Sequence, residues 1–143
     1  MTQRKMARIE SRGRSRALQA LYAWDLRDNT DLAKLAELVW DDLAIVPDER
    51  EFAGKLLRVW IAEGDDLDAE LAEVTTNWRI ERLGAIERCV LRLGASELRQ
   101  QVTPPRVVIQ EMVRLAERYG SAQSARFVNG VLDALARRMG RLT

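Results

Sequence analysis

The chain has 143 residues, of which 47% are hydrophobic and only three are proline, enough for one domain with a real core and too apolar for a disordered chain. No histidine and a single cysteine, Cys89, exclude an internal disulfide and a structural zinc site, and no cofactor-binding motif is visible. No apolar run reaches the roughly 20 residues of a membrane span and no apolar leader stands near the start, which with the lone thiol fits a reducing cytoplasm.

The net charge is only +1, but it is unevenly spread. Residues 1–16 carry six basic side chains against Glu10, residues 17–73 five against fifteen acidic ones, and residues 74–143 twelve against six. A basic arm and a basic C-terminal half flank an acidic middle, a pattern that points to a polyanion on one surface.

In the arm, Arg8, Arg12, Arg16 and Gln19 share one face of a helix, while Leu18, Leu21, Tyr22 and Leu26 form its apolar side. Like charges four apart repel by about 0.2–0.5 kcal/mol per pair, and Gly13 weakens the helix further. Residues 1–13 are therefore expected to be a flexible basic arm that orders against an anion, with a frayed, solvated terminus as the alternative. Arg8, Arg12, Arg14 and Arg16 are candidate phosphate contacts, and Gln19 a candidate reader of a base edge.

Asp31 caps a second helix over residues 31–45, with Leu32, Leu35, Leu38, Val39 and Leu43 expected inward. Pro47 starts a third, in which Phe52, Leu56, Val59, Trp60, Leu67, Leu71 and Val74 keep the helical period and Gly64 is a point of bending. The acidic side chains here form no paired-carboxylate motif and read as surface. Trp24, Trp40, Trp60 and Trp78 follow apolar neighbours and read as core or subdomain interface rather than as stacking groups.

After a break at residues 75–77, Leu83, Ile86, Val90, Leu93 and Leu98 mark a strongly apolar helix with Cys89 as a small buried thiol and Glu87 on its flank. Pro105 sits at the first position of the next helix, whose stripe is Val108, Met112, Leu115, Ala116 and Tyr119. Gly120 stops it, and Ser121 or Ser124 caps the last helix, buried through Val128, Val131, Leu132 and Leu135. Phe127 lies about a quarter turn off that stripe, beside Arg126. By residue type Phe127 is a core aromatic; the other reading is a stacking platform for an unpaired base, and its off-centre position favours it. Asn129 and Gly130 are poor helix formers on the polar side. No strand pattern, phosphate loop or catalytic set is visible.

RSRALQALYAWDL, NWRIERLGAIERCVLRLGASELRQ and the IQEMVRLAERYG helix followed by RFVNGVLD resemble, in order and spacing, the NusB family of transcription antitermination proteins. Together with residues 104–136 these blocks cover about half the chain. The resemblance implies an all-α fold of two packed helical subdomains, approximately 1–76 and 77–143, where periodicity gives about seven helices. It implies a non-catalytic role: binding of boxA-type single-stranded RNA in nascent ribosomal RNA operon transcripts, with the small-subunit ribosomal protein NusE, in the RNA polymerase antitermination complex. By the same analogy Arg126 and Phe127 join the basic arm as RNA contacts, Tyr22 and Glu87 face the protein partner, and a homodimer is an alternative state. Two departures stand out. Ile109, Gln110, Glu111 and Met112 replace the usual Ile-Asn-Glu-Ala, and Ala122 and Gln123 stand where the family often has an acidic residue.

Two other readings compete. A similar helical domain begins some ribosomal RNA cytosine methyltransferases, but a cofactor-binding catalytic domain follows it there, and none is visible in these residues. A helical protein-interaction module using the acidic middle predicts indifference to RNA.

Overall fold

The computed structural model describes residues 2–27, 30–75 and 79–143. Trp78, and the expected subdomain boundary at residues 76 and 77, lie outside them. The chain is helical throughout these residues: α1 (Gln3–Asp25), α2 (Leu32–Asp42), α3 (Pro47–Val74), a 3-10 turn (Ile80–Arg82), α4 (Ala85–Gln100), α5 (Pro105–Tyr119) and α6 (Ala122–Arg138). Among the described residues there is no strand, and the six α-helices with one 3-10 turn come near the count of about seven given by periodicity.

Local chemistry sets the helix starts. The side chains of Thr2, Asp31 and Ser121 accept hydrogen bonds from the backbone N–H groups of Lys5, Lys34 and Ser124, each satisfying a donor the helix leaves open. Pro47 and Pro105 open α3 and α5, where a missing N–H costs nothing. α1 packs against α2, α3 and α4; α5 and α6 pack on each other and on α4; α3 lies along α4. One buried apolar cluster runs through all six helices, from Leu18 and Leu21 through Trp40, Leu56, Leu67 and Leu91 to Met112 and Leu132. Two glycines allow close crossings. A Cβ on Gly13 would stand 2.7 Å from Phe52 Cδ1 on α3, and one on Gly94 would stand 2.7 Å from Leu132 Cδ1 on α6.

Several expectations change. α1 is helical from Gln3, where a loose arm is expected before Arg14. The cap from Thr2 and the seating of Gly13 on Phe52 explain the difference: the glycine that weakens the helix locally is what lets it dock. α3 runs unbroken through Gly64. Leu38 is 67% exposed, because it lies two residues, or about 200°, from both Ala36 and Trp40 on the buried face of α2. Leu43, just past the end of α2, is also exposed. Tyr119 leaves the core stripe at the end of α5, and the Arg118 guanidinium lies over its ring, 5.3 Å from the centroid. Trp40 and Trp60 are buried, and Trp24 packs edge-on against Trp60 with ring centroids 6.4 Å apart.

Charge also holds the helices together. Arg14, only 2% exposed, donates from Nε and Nη2 to the two carboxylate oxygens of the fully buried Glu97 at 2.8 and 2.6 Å, and from Nη1 to Glu111 at 3.1 Å. Ser11 donates to the same Glu111 oxygen at 2.5 Å, and the Arg14 guanidinium lies 5.0 Å over the Phe52 ring. Burial by itself would lower the Arg14 pKa, but the hydrogen bond and charge of Glu97, then the charge of Glu111, outweigh it and raise it. At the other end of α1, Asp25 accepts from Arg88 at 2.9 and 2.5 Å and from Arg92 at 3.2 Å. The hydrogen bond from Arg88 holds its carboxyl below the usual range despite burial. Arg92 also reaches Asp68 on α3. Cys89 lies beneath this group; burial, then the nearby Asp25 charge, pushes its thiol up to about 12, so it is neutral and inert at ordinary pH.

Both the buried pair and the exposed glycine of α6 have measurable consequences for stability. Arg14→Ala leaves Glu97 buried without a counter-charge and should cost about 3–5 kcal/mol in chemical denaturation; a loss below about 1 kcal/mol contradicts the role given to the pair. Gly130 is exposed within α6 with no atom within 4 Å of its missing Cβ. Gly130→Ala should therefore stabilise the chain by about 0.5–1 kcal/mol, read as a melting temperature a few degrees higher.

Candidate nucleic-acid interface

Helix geometry sorts the arginines of α1. Arg8, Arg12, Arg16 and Gln19 follow one another at intervals of four, four and three, along one face. Arg14 lies about 200° from both Arg12 and Arg16 and points inward. The expectation that Arg14 contacts phosphate is thus corrected: its guanidinium is fully engaged by Glu97 and Glu111 and hidden from solvent. Arg8 is exposed and makes no ion pair among the described residues, and Arg4 and Lys5 extend the cationic end of the helix. Arg12 is 63% exposed, with Nη1 3.9 Å from Glu49 Oε2. Arg16 is half-buried, donating from Nε to Glu49 Oε1 at 3.0 Å and from Nη1 to Gln19 Oε1 at 3.4 Å.

Phe127 belongs to a second location. It is half-buried at the rim of a concavity of about 300 Å³, lined also by Arg82, Leu83, Gly84 and Glu87 before and at the start of α4, and by Ser121, Gln123 and Ser124 at the start of α6. Glu87, expected on the partner surface, therefore shares one hollow with Phe127, expected on the RNA surface. Arg126 is exposed and lines a different groove, between α5 and α6, with Val113, Glu117 and Asn129. Adjacent residues on a helix diverge by about 100°, so Arg126 and Phe127 face different hollows. Tyr22 is exposed one turn before Asp25, whose carboxylate holds Arg88, the neighbour of Glu87. Tyr22 and Glu87 thus belong to the same end of the α1–α4 pair.

The two ion-pair groups fix the spacing of these locations. α1 runs antiparallel to α4, with Arg14 against Glu97 near the end of α4 and Asp25 against Arg88 near its start. From Arg12 to Asp25 is thirteen residues of helix, or about 20 Å. Arg8 and Arg12 and the Phe127 hollow therefore lie toward opposite ends of α1, with Arg16 and Gln19 between them. Sequence reasoning missed Arg82, which brings a cation to the hollow, and Glu49, which holds two arginines of the stripe. For Arg82 the signal was its place three residues before α4; for Glu49, a residue of a long acidic segment, nothing in the pattern marks it out. Among the described residues no group of three or more acidic or cysteine side chains is arranged to hold a metal ion. What the surface offers is cations, an aromatic ring and side-chain amides.

The sequence profile of the NusB family matches residues 11–137. A transcription antitermination protein NusB of Sorangium cellulosum is 40% identical over 134 residues, covering 92% of this chain and 94% of that protein. The crystal structure of the antitermination factors NusB and NusE in complex with double-stranded RNA is similar with a TM-score of 0.84 at 32% identity, over 92% of this chain and 98% of that one. The solution structure of NusB from Aquifex aeolicus gives a TM-score of 0.81 at 32% identity, over 91% and 88% of the two chains. With its three sequence blocks carried on the same six-helix framework, the chain belongs to the NusB family.

Proposed function

We propose that this chain is a non-catalytic antitermination factor of the cytoplasm that binds boxA-type RNA in nascent ribosomal RNA operon transcripts, together with the ribosomal protein NusE. The observation that carries the reading is the outward stripe of Arg8, Arg12, Arg16 and Gln19 on α1, with Phe127 at the far end of the same helix pair. The complex of a NusB relative with NusE and RNA supports both partners. Cations on the stripe give affinity and salt dependence without sequence choice. An aromatic face in a hollow takes a base from an unpaired strand, each stacked base contributing about 1–3 kcal/mol. An RNA that uses both ends follows α1 for about 20 Å. Tyr22 and Glu87 remain the proposed surface for NusE. Since that RNA complex of the relative holds a duplex, the preference for a single strand is itself a point to test.

The test is a salt series of binding to a single-stranded boxA-type RNA, its duplex and a scrambled strand, with and without NusE. An Arg8/Arg12/Arg16 triple alanine should flatten the slope of log affinity against log salt by roughly 2, about 0.7 for each phosphate of the single strand that is no longer neutralised. Phe127→Ala should weaken single-strand binding at every salt concentration by about 1–3 kcal/mol. If the wild-type chain binds none of these RNAs above background with NusE present, the chain is a protein-interaction module and the RNA reading is wrong.

A further inference from the structure

Glu49 lies on α3, outside the cationic stripe, and is 5% exposed. An acid there is favoured by the first turn of α3, where the helix dipole is positive. Its two oxygens serve two arginines of the stripe: Oε1 accepts from Arg16 Nε at 3.0 Å, and Oε2 lies 3.9 Å from Arg12 Nη1. Arg16 is further fixed through its backbone, where its carbonyl accepts from Trp40 Nε1 of α2 at 3.1 Å. From that anchored position Arg16 Nη1 donates to Gln19 Oε1 at 3.4 Å. One lone pair of Gln19 Oε1 is thereby taken and that oxygen is turned toward Arg16, so the end of the amide that faces away from Arg16 is its NH2, a donor.

We propose, resting on the RNA-binding reading above, that Glu49 is the positioning residue of the α1 stripe, and that through Arg16 it presents the Gln19 amide as a donor that selects a keto base. Uracil O4 and guanine O6 accept such a hydrogen bond, whereas cytosine and adenine carry an amino group at the same edge and meet the NH2 donor to donor. Glu49 simultaneously withdraws charge. With one carboxylate between Arg12 and Arg16, the middle of the stripe attracts phosphate less strongly than Arg8 and the arm before it. Glu49 thus lowers affinity for RNA in general and raises the share of binding that depends on the base.

The test compares wild type, Glu49→Gln, Gln19→Ala and the double variant on boxA-type and scrambled RNA over a salt series, with keto-to-amino exchanges (U to C, G to A) scanned along the boxA-type strand. Glu49→Gln should bind scrambled RNA more tightly, steepen the salt slope by up to about 0.7, and lose roughly two- to tenfold of its preference for boxA-type RNA. In the Gln19→Ala background the same substitution should cost no further preference, and one keto-to-amino exchange should weaken wild type while leaving Gln19→Ala unaffected. Equal loss of both RNAs with a lower melting temperature, or losses of preference that add in the double variant, overturn the proposal and leave the antitermination reading intact. Absence of any RNA binding by wild type overturns both and is read from the wild-type arm alone. Should Glu49→Gln fail to fold, Arg16→Lys carries the base-preference arm of the test, because an ammonium keeps the charge but lacks the planar fork that holds Glu49 and Gln19 together. The preference for boxA-type RNA should then fall as in Gln19→Ala with the salt slope unchanged, and an unchanged preference overturns the proposal.

Discussion

Arg14 lies between Glu97 of α4 and Glu111 of α5, with both oxygens of Glu97 occupied and Ser11 completing the shell of Glu111. A guanidinium so placed admits one rotation and one depth for α1. Turning the helix by a single residue would swing the fork away from both acids and leave the fully buried Glu97 without its partner. Gly13, one residue earlier, sets the distance at which α1 crosses Phe52. Together they turn Arg8 and Arg12 to solvent and leave Arg16 half-buried against Glu49, because those side chains have only the opposite face of the helix left to them.

This division of labour among neighbouring arginines was partly legible in the sequence. Spacing at four, four and three identifies the outward stripe, and the same arithmetic separates Arg14 from it by about 200°. Composition pulled the other way: a run of cations reads as one solvated patch unless buried acids elsewhere are known to await one member. Glu97 and Glu111 are scattered in sequence and only tertiary contact identifies them as the acceptors. Caps at Asp31 and Ser121, the opening prolines and the apolar stripes of α3 to α6 were legible because they are local or periodic. Leu38 was not, since a leucine beside a stripe is indistinguishable from one within it until the neighbouring helix leaves it uncovered. Glu87 and Phe127, forty residues apart, share a hollow that was hidden for the same reason: proximity between helices carries no sequence period.

The site that results is divided. One end of α1 offers charge, the other end of the α1–α4 pair offers an aromatic face with Arg82 and Glu87 around it. Charge acts at a distance and tolerates imprecise placement, whereas stacking and amide recognition need fixed geometry. The fold supplies each in proportion. Arg8 makes no ion pair among the described residues, while Arg16 is fixed by α2 and α3 and Gln19 through Arg16, and Phe127 by the packing of α6 on α4.

Arg92 stands at the meeting of three long helices, bonded to Asp25 of α1 and Asp68 of α3, with its guanidinium 5.1 Å over the Trp60 ring. Helix α4 carries it, and α4 is also the floor on which α5 and α6 rest. Detaching α1–α3 from the remainder would strip Arg92 of both carboxylates and Arg14 of both of its own. The ionic contacts therefore act as a lock between the halves rather than as ornament on either. In terms of cooperativity, such a lock raises the free energy of opening α1–α3 alone toward that of opening the whole, and amide protons in α1 and in α4 are expected to share a common level of protection from exchange with solvent.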